Sequence, residues 1–282
     1  MNPVLSTSLA EEKVTMPPAS ETQRPSRRLR LLSRSKGVVA RLHRVIEALH
    51  TGFWLGFLDR NQLNTIVFQH YEAAKLYRTA EHNLYGFFPW ERNLMRDYFT
   101  ECRSVVVAAT GGGREMIALA QAGVQVDGFE CNPVLVESCK EFLAEAGLPG
   151  RILNAEPDQV PSGLEKYEAA IVGYGAIAHI VGRSNRINFL KELKTHLHPG
   201  APLMLSVGRR PEGAQYYNWI YQIARAIRFL RGSADKVELG DDLLDCYTHR
   251  FVQSETRLEL EEAGFTVLTT LETPEIYAVG QA

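Results

Sequence analysis

A glycine-rich turn and a later acid are the residues best suited to ligand chemistry in this chain of 282 residues. Gly111, Gly112 and Gly113 follow an apolar run, and glycine lets a backbone turn sharply and approach a ligand without a Cβ clash. A helix beginning near Arg114 would direct unpaired N–H groups and its positive dipole end at the turn. The turn is therefore predicted to bind an anionic group. Glu130, which ends the next apolar run, is suited to accept hydrogen bonds from ribose hydroxyls.

Short apolar runs alternate with helical stripes from Ser104 onward. Five runs read as buried strands, namely SVVVAAT (104–110), VQVDGFE (124–130), RILNAE (151–156), YEAAIVGYG (167–175) and APLMLSVG (201–208). The apolar stripes between them contain Ile117 and Ala120, then Leu135, Cys139, Phe142 and Leu143, then Ile187, Leu190 and Leu197. Apolar strands separated by helices predict a doubly wound α/β fold with a parallel sheet covered on both faces. Ligands bind such sheets beyond the carboxyl ends of the strands, where the glycine turn falls.

The chain divides into three predicted segments. Residues 1–36 are rich in Ser, Pro and charge, and are predicted to be a disordered basic tail. Residues 37–100 show helical spacing, as at Ile46 and Leu49, and are predicted to form a helical cap. Residues 101–282 contain the strands and form the predicted cofactor domain.

The basic stretch near the N-terminus has two interpretations. Within residues 21–44, eight Arg and Lys residues face one acid, Glu21. Such a run can bind phosphate groups or an acidic partner. The alternative is a solvated tail that runs into a helix.

Composition narrows the class of protein. The chain is 45% hydrophobic and 23% charged with a net charge of −2, so no overall charge favours nucleic acid or a membrane surface. Its four cysteines, Cys102, Cys131, Cys139 and Cys246, form no C-x-x-C pair and suit a reducing compartment. The sequence shows no metal-binding cluster, no signal peptide and no apolar run of membrane-spanning length. A cytoplasmic protein is expected.

The run VVVAATGGGREMIALAQAGVQVDGFECNP (105–133) resembles the nucleotide-binding half of class I S-adenosylmethionine-dependent methyltransferases. Gly111 and Gly113 match the second and third glycines of the family motif, and Glu130 matches its ribose-binding acid. Two positions depart from the motif. Ala109 replaces the first glycine, which is a small change, and Val107 replaces an acid that contacts the ammonium end of the cofactor. Another group must supply that contact.

Later segments extend the resemblance over residues 104–282. NAEPDQVP (154–161) resembles the segment whose acid approaches the adenine amino group, with Glu156 favoured and Asp158 as second choice. HLHPGAPLMLS (196–206) resembles the turn before the fifth strand, and residues 249–272 resemble the closing helix and hairpin. The resemblance implies a Rossmann-like sheet of seven strands, mostly parallel, with an antiparallel C-terminal hairpin.

The resemblance also implies the reaction and its residues. The cofactor would be S-adenosylmethionine, and the methyl group would pass in line to a small-molecule acceptor without a metal. Aligning the reactants can account for about 7–11 kcal/mol of the barrier. The cofactor-binding residues implied are Ala109, Thr110, Gly111, Gly113, Glu130, Cys131, Glu156 and Tyr174.

His179 is the candidate base for an acceptor that must lose a proton, because an unperturbed imidazole titrates near pH 6.5. A histidine bonded to backbone is the alternative. Two aromatic groups are candidates for the pocket wall or for core packing, namely Tyr85, Phe87, Phe88 and Trp90, and Tyr216, Tyr217, Trp219 and Tyr221. Arg183 and Arg186 are candidate partners of an acidic acceptor, or belong to a solvated helix start.

Two other functions fit parts of the sequence. A nicotinamide-dependent oxidoreductase is disfavoured because Met116 occupies the position of the small third residue in G-x-G-x-x-G, where it is expected to block close packing of helix on strand. A non-catalytic protein that binds partners through the basic tail is the second. Modification of nucleic-acid bases is disfavoured because no N-P-P-Y-like motif follows the fourth strand.

Overall fold

A sheet of seven strands organises the computed structural model, which describes residues 26–282. Its strands are β1 (Ser104–Ala108), β2 (Gln125–Glu130), β3 (Arg151–Asn154), β4 (Ala169–Val172), β5 (Pro202–Val207), β8 (Thr266–Glu272) and β9 (Ile276–Gln281), with a separate hairpin of β6 (Asp241–Leu243) and β7 (Tyr247–His249). The sheet order is β3-β2-β1-β4-β5-β9-β8. The first five strands are parallel, while β9 is antiparallel to both β5 and β8. The predicted seven-stranded sheet with an antiparallel C-terminal pair is confirmed.

Apolar side chains on both faces hold the sheet between helices. On β1, Val106 and Ala108 enter one hydrophobic cluster, whereas Val105 and Val107 enter the cluster on the opposite face. All four are at most 1% exposed. Because strand side chains alternate between faces, a strand covered on both sides needs a continuous apolar run, and SVVVA provides one.

The helices are α1 (Arg27–Phe57), α2 (Arg60–Ala73), α3 (Ala80–Asn83), α4 (Pro89–Tyr98), α5 (Arg114–Gln121), α6 (Pro133–Glu145), α7 (Arg183–Thr195), α8 (Gln215–Arg231) and α9 (Gln253–Glu262). α7 ends two residues before Leu197, which the sequence assigned to this helix; Leu197 instead packs in the following turn beside Tyr167. None of the helices in the described part of the chain is both long and apolar enough to cross a bilayer.

The N-terminal segments differ from the prediction. α1 begins at Arg27, so part of the segment predicted to be a disordered tail is helical; residues 1–25 lie outside the described part. By its backbone contacts, the stretch of residues 44–282 forms one compact unit. Residues 44–100 are mainly helical, as predicted for a cap. The apolar residues Ile46 and Leu49 are more than half exposed, so they do not form a buried stripe.

Within this compact unit, α1 packs closely on α8. Gly52 and Gly56 allow this contact, because a Cβ on either would lie within 2.8 Å of Ile223 or Ala224 atoms. Arg228 of α8 donates to the carbonyl oxygen of Leu55 near the end of α1, at 3.1 and 2.9 Å. A carbonyl in the last turn of α1 thus receives a charged donor.

The hairpin of β6 and β7 was not predicted. Its core is polar: Asp241 accepts hydrogen bonds from the Tyr247 hydroxyl at 2.9 Å and pairs with His249 Nδ1 at 2.8 Å. Glu238, Asp241 and His249 also form a group with the spacing of metal ligands. Arg186 already pairs with Glu238 at 2.7 Å, so the hairpin is held by protein partners.

Met116 does not block packing of α5 on the sheet, contrary to the sequence argument. Its side chain is fully buried against Gly128 of β2, which has no Cβ to oppose it. A Cβ at Gly128 would lie 2.4 Å from both Met116 Sδ and Thr110 Cγ2. The glycine on the strand therefore supplies the space that a small residue on the helix would otherwise provide.

We expect Gly128→Ala to lower the free energy of unfolding by about 1–3 kcal/mol, because overpacking in a full core forces side chains to shift. The penalty should be smaller in a Met116→Ala background, since one of the two clashing side chains is removed there. Urea unfolding of the two single variants and the double variant measures the coupling. Equal penalties in both backgrounds would contradict this account of the packing.

Candidate active site

A cavity of about 340 Å³ lies beyond the carboxyl ends of β1, β2 and β4. This is the switch point of the sheet, because the chain runs from β1 to β2 and β3 on one side and then crosses to β4 on the other. Eight of the nine residues predicted from the sequence line this cavity, namely Ala109, Thr110, Gly111, Glu130, Cys131, Glu156, Tyr174 and His179. The ninth, Gly113, lies behind the turn against Cys139.

The glycine turn is shaped by alternating left-handed residues. Ala109, Gly111 and Gly113 have φ values of +54°, +54° and +102°. Gly112 is needed for a different reason: a Cβ there would lie 1.9 Å from the carbonyl oxygen of Tyr77. Tyr77 belongs to the 3₁₀ turn Lys75–Arg78, which crosses directly over the loop. The three glycines thus serve both the turn itself and the close approach of the cap.

Glu130 is fixed by backbone donors. One carboxylate oxygen accepts from the N–H groups of Cys131 and Asn132 at 2.8 and 2.9 Å, and the other accepts from Gly111 N–H at 3.0 Å. A carboxylate offers about four acceptor positions, so roughly one, on the oxygen that faces Gly111, is available to a ligand. Glu130 is 6% exposed and lines the cavity, which suits it to receive a sugar hydroxyl.

The turn has fewer free amides than its sequence suggests. Gly111 N–H donates to Glu130, and Gly113 N–H donates to the carbonyl oxygen of Thr110 at 2.9 Å. The predicted anion-binding turn therefore already holds the carboxylate of Glu130 through its Gly111 amide.

A buried ionic cluster, absent from the sequence interpretation, stands beside this turn. Arg114 makes a two-pronged pair with Glu91 at 2.6 and 2.7 Å and also bonds Glu115 at 2.5 Å. Its guanidinium lies 3.9 Å from the ring centre of Phe88 and donates to the carbonyl oxygen of Gly86. The only sequence signal is the Arg-Glu pair directly after the glycines, because Glu91 lies 23 residues earlier.

His179 and Tyr71 form a hydrogen-bonded pair on the opposite wall. His179 Nδ1 lies 2.7 Å from the carbonyl oxygen of Tyr247, and Nε2 lies 2.7 Å from the Tyr71 hydroxyl. Since a carbonyl can only accept, Nδ1 carries the proton and Nε2 accepts from Tyr71. Burial lowers the pKa of His179 and raises the pKa of Tyr71, so the imidazole is neutral and the phenol protonated near pH 7.

Two acids predicted to approach adenine both reach the cavity. Asp158 is engaged by the cap, accepting from Arg60 at 2.9 Å and from the Asn64 amide at 3.2 Å. Glu156 is exposed at the rim. On the same side, Cys131 is a poor nucleophile, because burial and the neighbouring Glu130 raise its thiol pKa.

Only some of the aromatic candidates, and neither arginine candidate, line the cavity. Phe88 and Tyr174 line the cavity with ring centres 5.6 Å apart. Trp90 lies outside it and stacks on Tyr277 at 4.0 Å. The remaining candidates that do not line the cavity are Tyr85, Phe87, Tyr216, Tyr217, Trp219 and Tyr221. Arg186 and Arg183 pair with Glu259 and Glu262, at 2.6 Å each, and also do not line the cavity.

The part of the chain that builds the cavity is similar to known proteins. Residues 105–200 match the family described as "Methyltransferase domain". The chain therefore contains a methyltransferase domain over these residues. It is a methyl-transferring enzyme, and S-adenosylmethionine is its cofactor. No curated protein matches the methyltransferase in sequence.

Three solved structures share the fold of this methyltransferase. The 1,6-didemethyltoxoflavin-N1-methyltransferase of Burkholderia thailandensis has a TM-score of 0.57 and 12% identity, over 79% of this chain and 90% of that one. A SAM-dependent methyltransferase from Methanosarcina mazei has a TM-score of 0.50 and 17% identity, over 70% and 98%. One from Aquifex aeolicus has a TM-score of 0.50 and 16% identity, over 79% and 98%.

The cavity of the methyltransferase offers hydrogen-bond acceptors that suit the donor groups of its cofactor. Glu130, at the end of β2, faces the cavity with one open acceptor position. Two further acids line the cavity, Glu115 beside the turn and Glu156 at the rim. The volume is at the lower end of the roughly 300–1,000 Å³ that small-molecule sites occupy.

Ala109, which stands where the family motif has a glycine, adopts a left-handed conformation that costs an L-residue about 1–2 kcal/mol. We expect Ala109→Gly to raise the free energy of unfolding by roughly 1 kcal/mol, because this strain is released. Ala108→Gly is the matched control: Ala108 lies in β1, fully buried, and its replacement should lower stability. Chemical unfolding of both variants tests the difference, and a loss of stability of similar size in both would contradict it.

Proposed function

We propose that this methyltransferase acts on a small-molecule acceptor, by direct in-line transfer and without a metal. The observation that supports the proposal is that Glu130 and the Tyr71–His179 pair line the same cavity beneath the cap. Asn64, Phe68 and Tyr71 of α2, with Tyr77 of the 3₁₀ turn, cover it. A polymeric acceptor would need an open groove, whereas a small molecule fits beneath a cover. The Burkholderia structure of the same fold holds 1,6-didemethyltoxoflavin and S-adenosylhomocysteine.

The cofactor-binding residues are proposed to divide the ligand between them. Glu130 accepts a ribose hydroxyl, with Ala109, Thr110, Gly111 and Gly113 shaping the turn beside it. Cys131, with Glu156 at the adenine end, forms the outer wall, and Tyr174 borders the methyl group. The bound cofactor supplies an activated sulfonium methyl, so the protein's main task is to hold the acceptor in line with it.

His179 is proposed as the base, acting through Tyr71. The acceptor's hydroxyl or amine proton passes to the Tyr71 oxygen while the phenolic proton passes to His179 Nε2. The nucleophilic oxygen or nitrogen forms the new bond to the methyl carbon as the carbon–sulfur bond breaks. The Tyr247 carbonyl, which accepts from Nδ1, stabilises the resulting imidazolium. General-base assistance of this kind typically contributes about 10²–10⁴-fold in rate.

Glu130→Gln should weaken the binding of S-adenosylhomocysteine at least about tenfold. A charge-assisted hydrogen bond contributes roughly 1.5–3 kcal/mol, and tenfold corresponds to about 1.4 kcal/mol. Isothermal titration calorimetry with the full chain measures the affinity. Glu137→Gln, on the exposed side of α6 and outside the cavity, is the control and should bind as the wild type does. Unchanged affinity in Glu130→Gln would exclude the ribose assignment.

The lowered pKa of His179 predicts an acid-sensitive component of stability. An unfolded histidine binds its proton near pH 6.5, whereas folded His179 binds it only at lower pH. The stability from neutral His179 is thus present above about pH 6.5 and is lost as pH falls through the folded pKa. Between about pH 7.5 and 5.5 the wild type should lose more stability than His179→Gln, as judged by urea unfolding. His198→Gln, at an exposed position, should follow the wild type; parallel curves for all three proteins would contradict a buried neutral His179.

A further inference from the structure

The acid missing from the family motif leaves the ammonium end of the cofactor without its usual partner. The position belongs to Val107, which is fully buried in the core cluster on one face of β1. No carboxylate can therefore reach the cavity from that strand position. The contact must come from another element that borders the glycine turn.

The ionic cluster beside the turn carries surplus negative charge. One guanidinium, that of Arg114, faces two carboxylates, those of Glu91 and Glu115, and all three side chains are at most 5% exposed. Nearby His82 adds no positive charge near neutral pH, because burial and Arg114 lower its pKa. With both carboxylates ionised the cluster has a net charge of −1, which is costly in a buried place unless a cation compensates it.

The two carboxylates of the cluster differ in what they can still bind. Both oxygens of Glu91 accept hydrogen bonds, from Nη1 and Nη2 of Arg114 and from Phe88 N–H at 2.6 Å. Glu91 does not line the cavity. Glu115 accepts one hydrogen bond from Nη2 of Arg114, and it lines the cavity. Burial raises the pKa of Glu115, and Arg114 only partly offsets this. Glu115 is the carboxylate in need of a further cation.

We propose that Glu115 accepts the α-ammonium group of the cofactor's methionine portion, in place of the acid that Val107 replaces. The inference rests on the proposed cofactor site and specifies its charge. The ammonium group offers three donors and one positive charge, which would neutralise the cluster. Because the Gly111 amide of the turn is already bonded to Glu130 and the acid Glu115 borders the cavity beside it, the site selects the amino group of the ligand at this point.

A pair of ligands that differ only in the amino group tests this role. Calorimetry on the full chain compares S-adenosylhomocysteine with its deaminated analogue, in which hydrogen replaces the amino group. The wild type should bind the deaminated analogue at least about tenfold more weakly, which is the lower range for one charge-assisted hydrogen bond. Glu115→Gln should lose at least about tenfold for S-adenosylhomocysteine yet bind the deaminated analogue within about twofold of the wild type.

Other outcomes overturn the proposal. If Glu115→Gln weakens the binding of both ligands equally, Glu115 only supports the fold. If the wild type binds both ligands equally, no carboxylate contacts the amino group. If Glu115→Gln does not fold, Glu115→Asp, which keeps the charge but withdraws it by one methylene, should show a reduced preference for the amino group. An unchanged preference in Glu115→Asp would also reject the proposal. Failure of the wild type to bind either ligand would instead reject the cofactor site itself.

Discussion

The bonds from backbone N–H groups to the Glu130 carboxylate are the constraint on which the site depends. They join the end of β2 to the glycine turn that follows β1, so two adjacent strand ends and their connections are held by one side chain. A buried carboxylate with three donors is stable and immobile. Its remaining acceptor position therefore has a defined direction into the cavity. Asn132, whose side chain caps α6 through Val134 N–H, continues the same rigid connection.

The cap is joined to this frame by two contacts that require unusual residues. The 3₁₀ turn that contains Tyr77 can lie on the loop only because Gly112 has no side chain, and the Asn83 amide holds the Tyr77 carbonyl in place at 2.9 Å. The pair between Arg114 and Glu91 then connects α5 to α4. Removing one member of this buried ion pair would leave an uncompensated charge. Together the two contacts hold the cap, which covers the cavity, against the turn that forms its floor.

Local patterns in the sequence were sufficient for the five parallel strands and for the floor of the cavity, whereas the antiparallel C-terminal pair was predicted from the family resemblance. Apolar runs identify the strands, and the glycines with Glu130 identify the turn. The walls depend instead on partners that are distant in the chain: Tyr71 and His179 are separated by 108 positions. Met116 was misjudged for the same reason, since its effect depends on Gly128 in another element. The three-residue strands β6 and β7 are too short for a period of two to be visible.

The hairpin of β6 and β7 contacts the cavity residue His179 through the carbonyl group of Tyr247. By accepting from Nδ1 of His179, the Tyr247 carbonyl determines which ring nitrogen is free to face Tyr71. A main-chain atom in that role is insensitive to the identity of its own side chain but sensitive to small displacements of the strand. Sequence drift within this hairpin can therefore retune the basicity of the imidazole while every residue lining the cavity stays the same.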